Sequence, residues 1–557
     1  MSNVIEDAKK EIANKLCVSV ESIENPPENI KSDFAFPCFS LARCEKKNPV
    51  EIAKSLSEKI KPFGFVKEVK NFGPYVNFYL NWEKINAIIL TDIIRTRNKY
   101  GSSTEGIGKT ILIDYSAPNI AKPMSVGHLR STIIGHSILR IYKNFGYRCI
   151  GDLHQGDWGT QFGKLICAYE KWGSKTDIEK DPINELLRLY VKFHKECEND
   201  LALEDMGREC FKKLENGNKD YTNLWKWFCN ISLAEFDKIY SLLGVRFDLK
   251  LGESFYSERA KTLVRDAIAK GVAEKNEDDS VIINFPDGIP PLLIQKSDET
   301  SLYATRDLAA IKYREKRFNP EKIIYVVGSE QKLYFEQLFK AAKMLGFASE
   351  KYVHVDFGLI FFNEKKLSTR KGEVIYLRDV IDKSIKLSKE IMAEKEIPIN
   401  NELAKKIGIG VIKYGDLSRD RVRSINFDWE QSLSFEGDTS PYIQYTHARA
   451  CSIVRKSRMP TSCFDATLLK EEKEIAIVKK LAQFPGVVKN AARNYSPHYI
   501  ANYVYELSCL FNDFYQTIKV IGVEADLEIA RLALVKSVKI VIKNALYLIG
   551  IDAPKKM

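Results

Sequence analysis

The feature that most limits how this chain can fold is a strand–loop–helix–strand pattern that occurs twice. In the first instance Thr110–Tyr115 is a short apolar strand and Ser116–Gly127 is irregular. A helix then spans His128–Phe145, with Leu129, Ile133, Ile134, Ile138 and Ile141 on one face, and Arg148–Leu153 reads as another buried strand. The second instance runs through Lys322–Val327, a helix over Gln331–Leu345, and Tyr352–Gly358. Each is a βαβ unit of a parallel sheet, and two such units predict one doubly wound α/β domain. The roughly 130 residues between the halves are too many for a loop, so an inserted domain is expected at about 165–295.

The flanks have a different style. Residues 1–105 alternate helical spacing (Glu6–Leu16, Val50–Ile60) with the strand-like Tyr75–Leu80 after a Gly73-Pro74 turn, which predicts a small α+β module. Gly101–Gly108 reads as a linker. From 381 to 557 the pattern is helical almost throughout, with amphipathic runs at Leu469–Phe484, Tyr499–Phe514 and Leu527–Ile549, so an all-α bundle is expected. The doubly wound domain then occupies 106–380.

Composition narrows the function classes. No stretch reaches the ~18 consecutive apolar residues of a membrane helix. The first ten residues, with Glu6 and Asp7, do not form a secretory signal, so a soluble cytoplasmic protein with no membrane association is expected. Eleven scattered cysteines without a Cys-x-x-Cys give neither a zinc site nor a disulfide framework, and no metal site is expected. The net charge is +11, and residues 401–557 hold 23 basic against 17 acidic side chains. That excess suits a phosphate-rich partner and equally suits a solvated helical surface.

Two segments carry the candidate chemistry. Asn119-Ile-Ala-Lys-Pro-Met-Ser-Val-Gly-His128 lies between a sheet strand and a helix, where open α/β sheets bind ligands. Gly127 permits close backbone approach, His128 opens a helix whose first N–H groups attract anions, and Lys122 adds a mobile charge. The second segment, Lys365-Lys-Leu-Ser-Thr-Arg-Lys-Gly372, puts four cations, two hydroxyls and a glycine after the last strand of the second half. Together they read as a nucleotide-phosphate site, though neither a Walker loop nor a dinucleotide fingerprint is present.

On these residues the chain resembles the class I aminoacyl-tRNA synthetases. Ser125-Val-Gly-His128 stands in place of the HIGH signature, and Lys366-Leu-Ser-Thr-Arg370 in place of KMSKS. Ser116–Pro123, Gly156–Gly163, Tyr303-Ala-Thr-Arg-Asp307 and the terminal Gly550–Met557 resemble the arginyl-tRNA synthetase family, and the similarity covers the whole chain. The resemblance implies a Rossmann-like catalytic domain. It also implies activation of arginine with ATP, with Mg²⁺ carried by the nucleotide, and transfer of arginine to the 2′-hydroxyl of the terminal adenosine of tRNA(Arg). A monomer is the family's usual form.

By the same resemblance, His128, Lys122, Lys366, Arg370 and Lys371 are the catalytic candidates, and Ser125, Gly127, His128, Ser368 and Thr369 bind ATP. Two departures matter: Ser125 replaces the first histidine of HIGH, and Arg370 replaces the second lysine of KMSKS, so Lys122 is expected to share its work. A guanidinium has five N–H donors and a permanent charge, which demand carboxylate or amide acceptors. Asp114, Asn119, His154, Tyr303, Asp307 and Gln331 match the family's arginine positions. For tRNA the resemblance points to Tyr75 and Asn77 at the D-loop and to Tyr442, Tyr445 and Arg449, with Arg455 and Lys456, at the anticodon. The alternatives are another class I synthetase, or a catalytically silent tRNA-binding paralogue suggested by Ser125 and Arg370.

Overall fold

The computed structural model describes residues 4–27, 30, 32–200, 202–298, 302–362, 365–366, 375–398, 400–457, 459 and 463–557, with the backbone alone at 362, 365 and 366. Its centre is a four-stranded parallel sheet. The elements are β1 (Thr110–Asp114), α1 (Val126–Asn144), β2 (Arg148–Asp152), α2 (Tyr303–Phe318), β3 (Lys322–Gly328), α3 (Lys332–Met344) and β4 (Tyr352–Phe357). The strand order is β4-β3-β1-β2, with Leu112 of β1 opposite both Ile150 of β2 and Ile323 of β3. The order reverses between β1 and β3, which makes their carboxyl ends the switch point.

Alternation along each strand feeds two separate cores. Ile111 and Ile113 pack with Ile133, Ile134 and Ile138 of α1 on one face, whereas Leu112, Ile150 and Ile323 pack with Leu308 of α2 and Leu338 of α3 on the other. Both faces are covered by helices, as a parallel sheet requires. The helix expected to open at His128 begins two residues earlier, because Ser125 is its N-cap.

The insertion is mainly helical. Thr160–Trp172, Lys175–Lys180, Pro182–Cys197, Ala202–Glu215, Lys219–Leu243 and Glu253–Ala269 precede a three-stranded sheet of Glu274–Lys275, Val281–Ile283 and Leu292–Gln295. The N-terminal residues form the expected α+β module, with Tyr75–Leu80 as the middle strand between Phe34–Pro37 and Val66–Phe72. The linker-like stretch is anchored at its start. Tyr100 is buried, stacks on Phe484 and donates to the Leu481 carbonyl at 3.1 Å, while Asn544 donates to the Arg97 carbonyl at 2.9 Å.

Beyond β4 the helices Leu377–Glu394, Asn401–Leu417, Ser440–Lys456, Glu472–Arg493, His498–Thr517 and Ala525–Leu548 form the bundle. Two details differ from the sequence reading. A short strand, Ile425–Phe427, pairs in parallel with Ile360–Phe362. The helix expected to stop at Phe484 continues through Pro485 to Arg493, its apolar face buried on both sides of the proline at Leu481, Phe484, Val488 and Ala491. That burial offsets the ~3 kcal/mol a helix-interior proline costs.

Candidate active site

The loop from Ser116 to Ser125 leaves β1 at the switch point under backbone strain. Ser116, Ala117 and Ala121 have φ of 80°, 38° and 63°, a left-handed region that costs non-glycine residues about 1–3 kcal/mol each. Surrounding bonds hold them there. The Ser116 N–H donates to Ser131 Oγ at 2.8 Å, the Ile120 N–H to the Gly156 carbonyl at 3.1 Å, and the Ala121 N–H to Ser232 Oγ at 3.2 Å. A Cβ at Gly156 would lie 2.2 Å from Asn119 Oδ1, so a side chain there would displace the Asn119 carboxamide.

A cavity of about 400 Å³ opens between this loop, the first turn of α1 and the carboxyl ends of β3 and β4. Asn119, Ser125, Gly127, His128 and Gln331, all anticipated from the sequence, line it together. His128 belongs to a capping box: the Ser125 N–H donates to its Nδ1 at 3.0 Å, and Ser125 Oγ lies 3.1 Å from the same atom. An Nδ1 that accepts a backbone proton leaves the ring's own proton on Nε2. Burial lowers the pKa of His128, so the ring is a neutral Nε2–H donor near pH 7.

Ser368, Thr369, Arg370 and Lys371 lie outside the described residues, as does the side chain of Lys366. The backbone of Lys366 pairs with Phe361. On the far side of that segment Ile375 lines the cavity, its carbonyl accepts from the Val126 N–H at 3.3 Å, and Tyr376 bridges to Ser125. Lys122 is not part of the cavity wall; its Nζ lies 4.8 Å from the centre of the Tyr190 ring.

Of the expected arginine residues, Asn119 and Gln331 line this cavity, whereas Asp114, His154 and Asp307 belong to a dense charge network. Asp114, expected as an acidic wall for the substrate, is buried and directed inward. Arg314 donates from one guanidinium nitrogen to Asp114 at 2.6 Å and reaches Asp152 at 2.8 Å. Burial opposes the Arg314 charge, but the two acids outweigh it and push its pKa up. Asp307 is a quarter exposed and accepts from the Tyr334 hydroxyl, and His154 Nε2 approaches it to 3.4 Å, an ion-pair contact without hydrogen-bond geometry. For His154, burial disfavours the imidazolium, yet Asp307 and Asp114 outweigh burial and raise its pKa to about 9. The same imidazole helps hold Asp307 below the usual carboxylate range against the effect of burial.

Glu253, which no sequence motif marks, comes from the insertion and pairs with Arg306 at 2.8 Å. Burial raises its pKa to about 7, only partly countered by Arg306. Tyr303 opens α2, is 56% exposed, and carries Arg306 over its ring at 5.0 Å. It lines a smaller cavity of about 140 Å³ with Trp158 and Arg306. The signals for Arg306 and Arg314 lay in the α2 sequence itself, at three and eleven residues after Tyr303.

Farther away, Tyr75 is half-buried and edge-on to Phe39. Asn77, a candidate for base contact from the resemblance, is 3% exposed, and its Oδ1 accepts from Ser32 at 3.2 Å, so the side chain is committed to the module's interior. In the bundle the Arg449 guanidinium lies 4.9 Å from both Tyr445 and Tyr515. Tyr445 and Arg449 line an 810 Å³ cavity with Arg455, Lys456 and Lys519. Tyr442 is half-buried against Tyr505, apart from that cavity wall.

Comparison with known proteins agrees along the whole chain. The family model described as tRNA synthetases class I (R), catalytic domain, matches residues 89–429. The DALR anticodon binding domain matches 443–557, and the arginyl tRNA synthetase N terminal domain matches 1–80. An arginine--tRNA ligase of Clostridium acetobutylicum is 44% identical, with 99% of this chain and 100% of the relative covered, and one of Alkaliphilus metalliredigens is 42% identical over 97% and 96%. Among solved structures, the Thermus thermophilus arginyl-tRNA synthetase superposes with a TM-score of 0.83 at 22% identity, covering 100% of this chain and 99% of the other. The Plasmodium falciparum enzyme gives 0.80 at 24%, covering 100% and 98%. With a catalytic-domain match over more than half its length and relatives above 40% identity from end to end, the chain belongs to the arginine--tRNA ligases, the class I tRNA synthetases for arginine.

Proposed function

We propose that ATP occupies the 400 Å³ cavity at the switch point and that arginine lies beside it, its guanidinium toward Asp307 and its carboxylate toward the α-phosphorus. The observation that carries this is the convergence of His128, Asn119 and Gln331 on one cavity at the carboxyl ends of β1 and β3. The overall reaction is that of the family: arginine and ATP give arginyl-adenylate and pyrophosphate, and the acyl group then passes to tRNA(Arg).

In the first step an oxygen of the arginine carboxylate attacks the α-phosphorus in line as the bond to the pyrophosphate oxygen breaks. The Nε2–H of His128 and the N-terminal N–H groups of α1 stabilise charge on the phosphate oxygens. Lys122, with Lys366, Ser368, Thr369, Arg370 and Lys371, is assigned to the phosphates from the signature motifs. Positioning and electrostatics suffice, and no enzyme-bound acyl intermediate is needed. In the second step the terminal 2′-hydroxyl attacks the acyl carbon, an ester forms, and AMP leaves. Mg²⁺ would arrive with the nucleotide and would help neutralise the phosphate charge there.

Selectivity for arginine is assigned chiefly to Asp307, because Asp114 and Asp152 neutralise Arg314 and Glu253 faces Arg306. Asn119 and Gln331 suit the α-amino and carboxylate end, and Tyr303 offers an aromatic face to the side chain. tRNA(Arg) is assigned to the bundle cavity through Tyr445 and Arg449, supported by stacking and charge at one place, and to the N-terminal module through Tyr75. We assign the protein to the cytoplasm as a monomer, with functional units near 1–105, 106–380 and 381–557. No described helix is long and apolar enough to cross a membrane. Amino-acid-dependent ATP–pyrophosphate exchange, run with and without tRNA(Arg), tests the reading. Exchange should depend on arginine and fall at least tenfold in Asp307→Asn through the KM for arginine; an unchanged KM would reject the assignment.

A further inference from the structure

The inserted helical segment grips the loop between β1 and α1 at three points. Two involve the helix Lys219–Leu243: Ser116 Oγ lies 2.8 Å from Tyr240 Oη, and the Ala121 N–H donates to Ser232 Oγ at 3.2 Å. The third is Lys122, whose Nζ lies 4.8 Å from the centre of the Tyr190 ring on Pro182–Cys197. Ala121 is left-handed and tied by its amide, so the direction in which Lys122 leaves the backbone is set by its neighbours. Tyr190 is itself held, half-buried and edge-on to His194 one turn later, with centroids 4.5 Å apart.

The position of Lys122 is unexpected for a cation that serves the nucleotide. Asn119 and Ser125, on either side of it in the loop, both line the 400 Å³ cavity, whereas Lys122 is part of neither cavity wall at the site. An ammonium over an aromatic face is drawn there by the ring quadrupole, more strongly as water is excluded. The Tyr190 ring and the nucleotide phosphates are therefore rival partners for one cation.

We propose that Tyr190 is a positioning residue that holds Lys122 away from the nucleotide, so that the inserted segment governs when this cation reaches the α-phosphate. The inference rests on the assignment of Lys122 to the phosphates, and the test separates the two. Pyrophosphate exchange is measured at saturating arginine and tRNA(Arg), with ATP varied, for the full-length protein and for Lys122→Met, Tyr190→Leu, Tyr190→Phe and the Lys122→Met/Tyr190→Leu double variant. Loss of the ring should raise kcat/KM for ATP about 2–5-fold, the scale of one partly exposed cation–π contact. Tyr190→Phe, which keeps the ring, should show less than half of that gain, and Tyr190→Leu should change nothing in the Lys122→Met background.

A merely structural role for Tyr190 predicts a loss of activity that persists when Lys122 is absent, and that result would overturn the proposal. So would Tyr190→Leu activity equal to the parent while Lys122→Met is impaired at least tenfold. If Lys122→Met itself retains full exchange, the phosphate assignment of Lys122 falls, and the proposal with it. Tyr190→Trp is the safeguard against misfolding: it fills the space with a stronger cation–π face and should lower kcat/KM, the opposite direction to Tyr190→Leu.

Discussion

Arg130→Met tests whether one buried guanidinium holds the nucleotide cavity together. Arg130 projects from α1 and is 1% exposed. Its Nε donates to Asp416 at 3.0 Å, and its terminal nitrogens donate to the carbonyls of Gly358 at 2.7 Å, Arg423 at 3.0 Å and Arg421 at 3.2 Å. Methionine fills most of the volume but leaves the Asp416 carboxylate, also 1% exposed, without its cation. Breaking a buried pair from one side costs about 3–5 kcal/mol. Each carbonyl left unmade would add on the order of 1–3 kcal/mol if it stayed dry, so about 3–5 kcal/mol is a lower range. Urea unfolding of the full chain, followed by tryptophan fluorescence, reads the loss.

Arg130→Met/Asp416→Leu removes the stranded charge and should recover more than half of the loss, with a coupling of at least ~1.5 kcal/mol in the double-mutant cycle. Burial already raises the Asp416 pKa with Arg130 present. Without Arg130 the carboxyl protonates more readily, so the deficit of Arg130→Met should shrink as pH falls toward 5. Gly358 and Leu359 line the nucleotide cavity, so the KM for ATP should rise with the instability. A single variant within about 1 kcal/mol of the parent, or a double variant no better than the single, would refute the reasoning.

His128→Ala should lower adenylate formation at least ~10²-fold, the scale of one lost charge-stabilising donor; near-parental single-turnover rates in a folded variant would remove His128 from the step. His154 faces Asp307, Asp114, Arg314, Glu253 and Asp157, and with its pKa near 9 its imidazolium competes with the substrate guanidinium for Asp307. The KM for arginine should therefore fall as pH rises from about 7 to 8.5, by no more than tenfold per unit, and His154→Gln should flatten that profile. Lys413 is buried and donates to the carbonyls of Leu243 at 2.6 Å and Gly550 at 2.5 Å, and burial lowers its pKa to about 7. Between that value and its unfolded pKa of about 10.4 the unfolded chain binds the extra proton, so stability should rise with pH above 7, and Lys413→Met should weaken the rise.

Much of this fold can be read from local sequence because its elements obey local rules. The alternation Ile111, Leu112, Ile113 marks a strand buried on both faces, and the two cores it feeds lie on opposite sides of the sheet. Gly127 and His128 are legible because a strand–loop–helix in a doubly wound sheet dictates where its loop sits, whereas Asn119, Ser125 and Gln331 are assigned by the family resemblance. Ile425–Phe427 was hidden for the opposite reason: three residues carry no period, and only pairing with Ile360–Phe362 makes them a strand. The helix that the sequence pattern ends at Phe484 runs on through Pro485 because propensity is local, whereas the burial that overrides it comes from neighbouring helices.

The charged residues divide in a more instructive way. A carboxylate's position in the sequence says where its backbone lies, but its function depends on which cation reaches it. Asp114 and Asp307 look alike in sequence, each an acid beside an apolar run. Arg314, 200 residues from Asp114, takes one of them into the interior. Asp307 meets a titratable imidazole and a tyrosine hydroxyl instead, and it keeps a quarter of its surface exposed. An acid matched by a permanent buried cation is poorly placed to select a second guanidinium, since Arg314 would have to give up one of the two carboxylates that hold it in the interior. An acid matched by histidine can exchange that partner for the substrate by releasing one proton. Substituting Asp114 should therefore act mainly on stability through the Arg314 pair, and substituting Asp307 mainly on the KM for arginine.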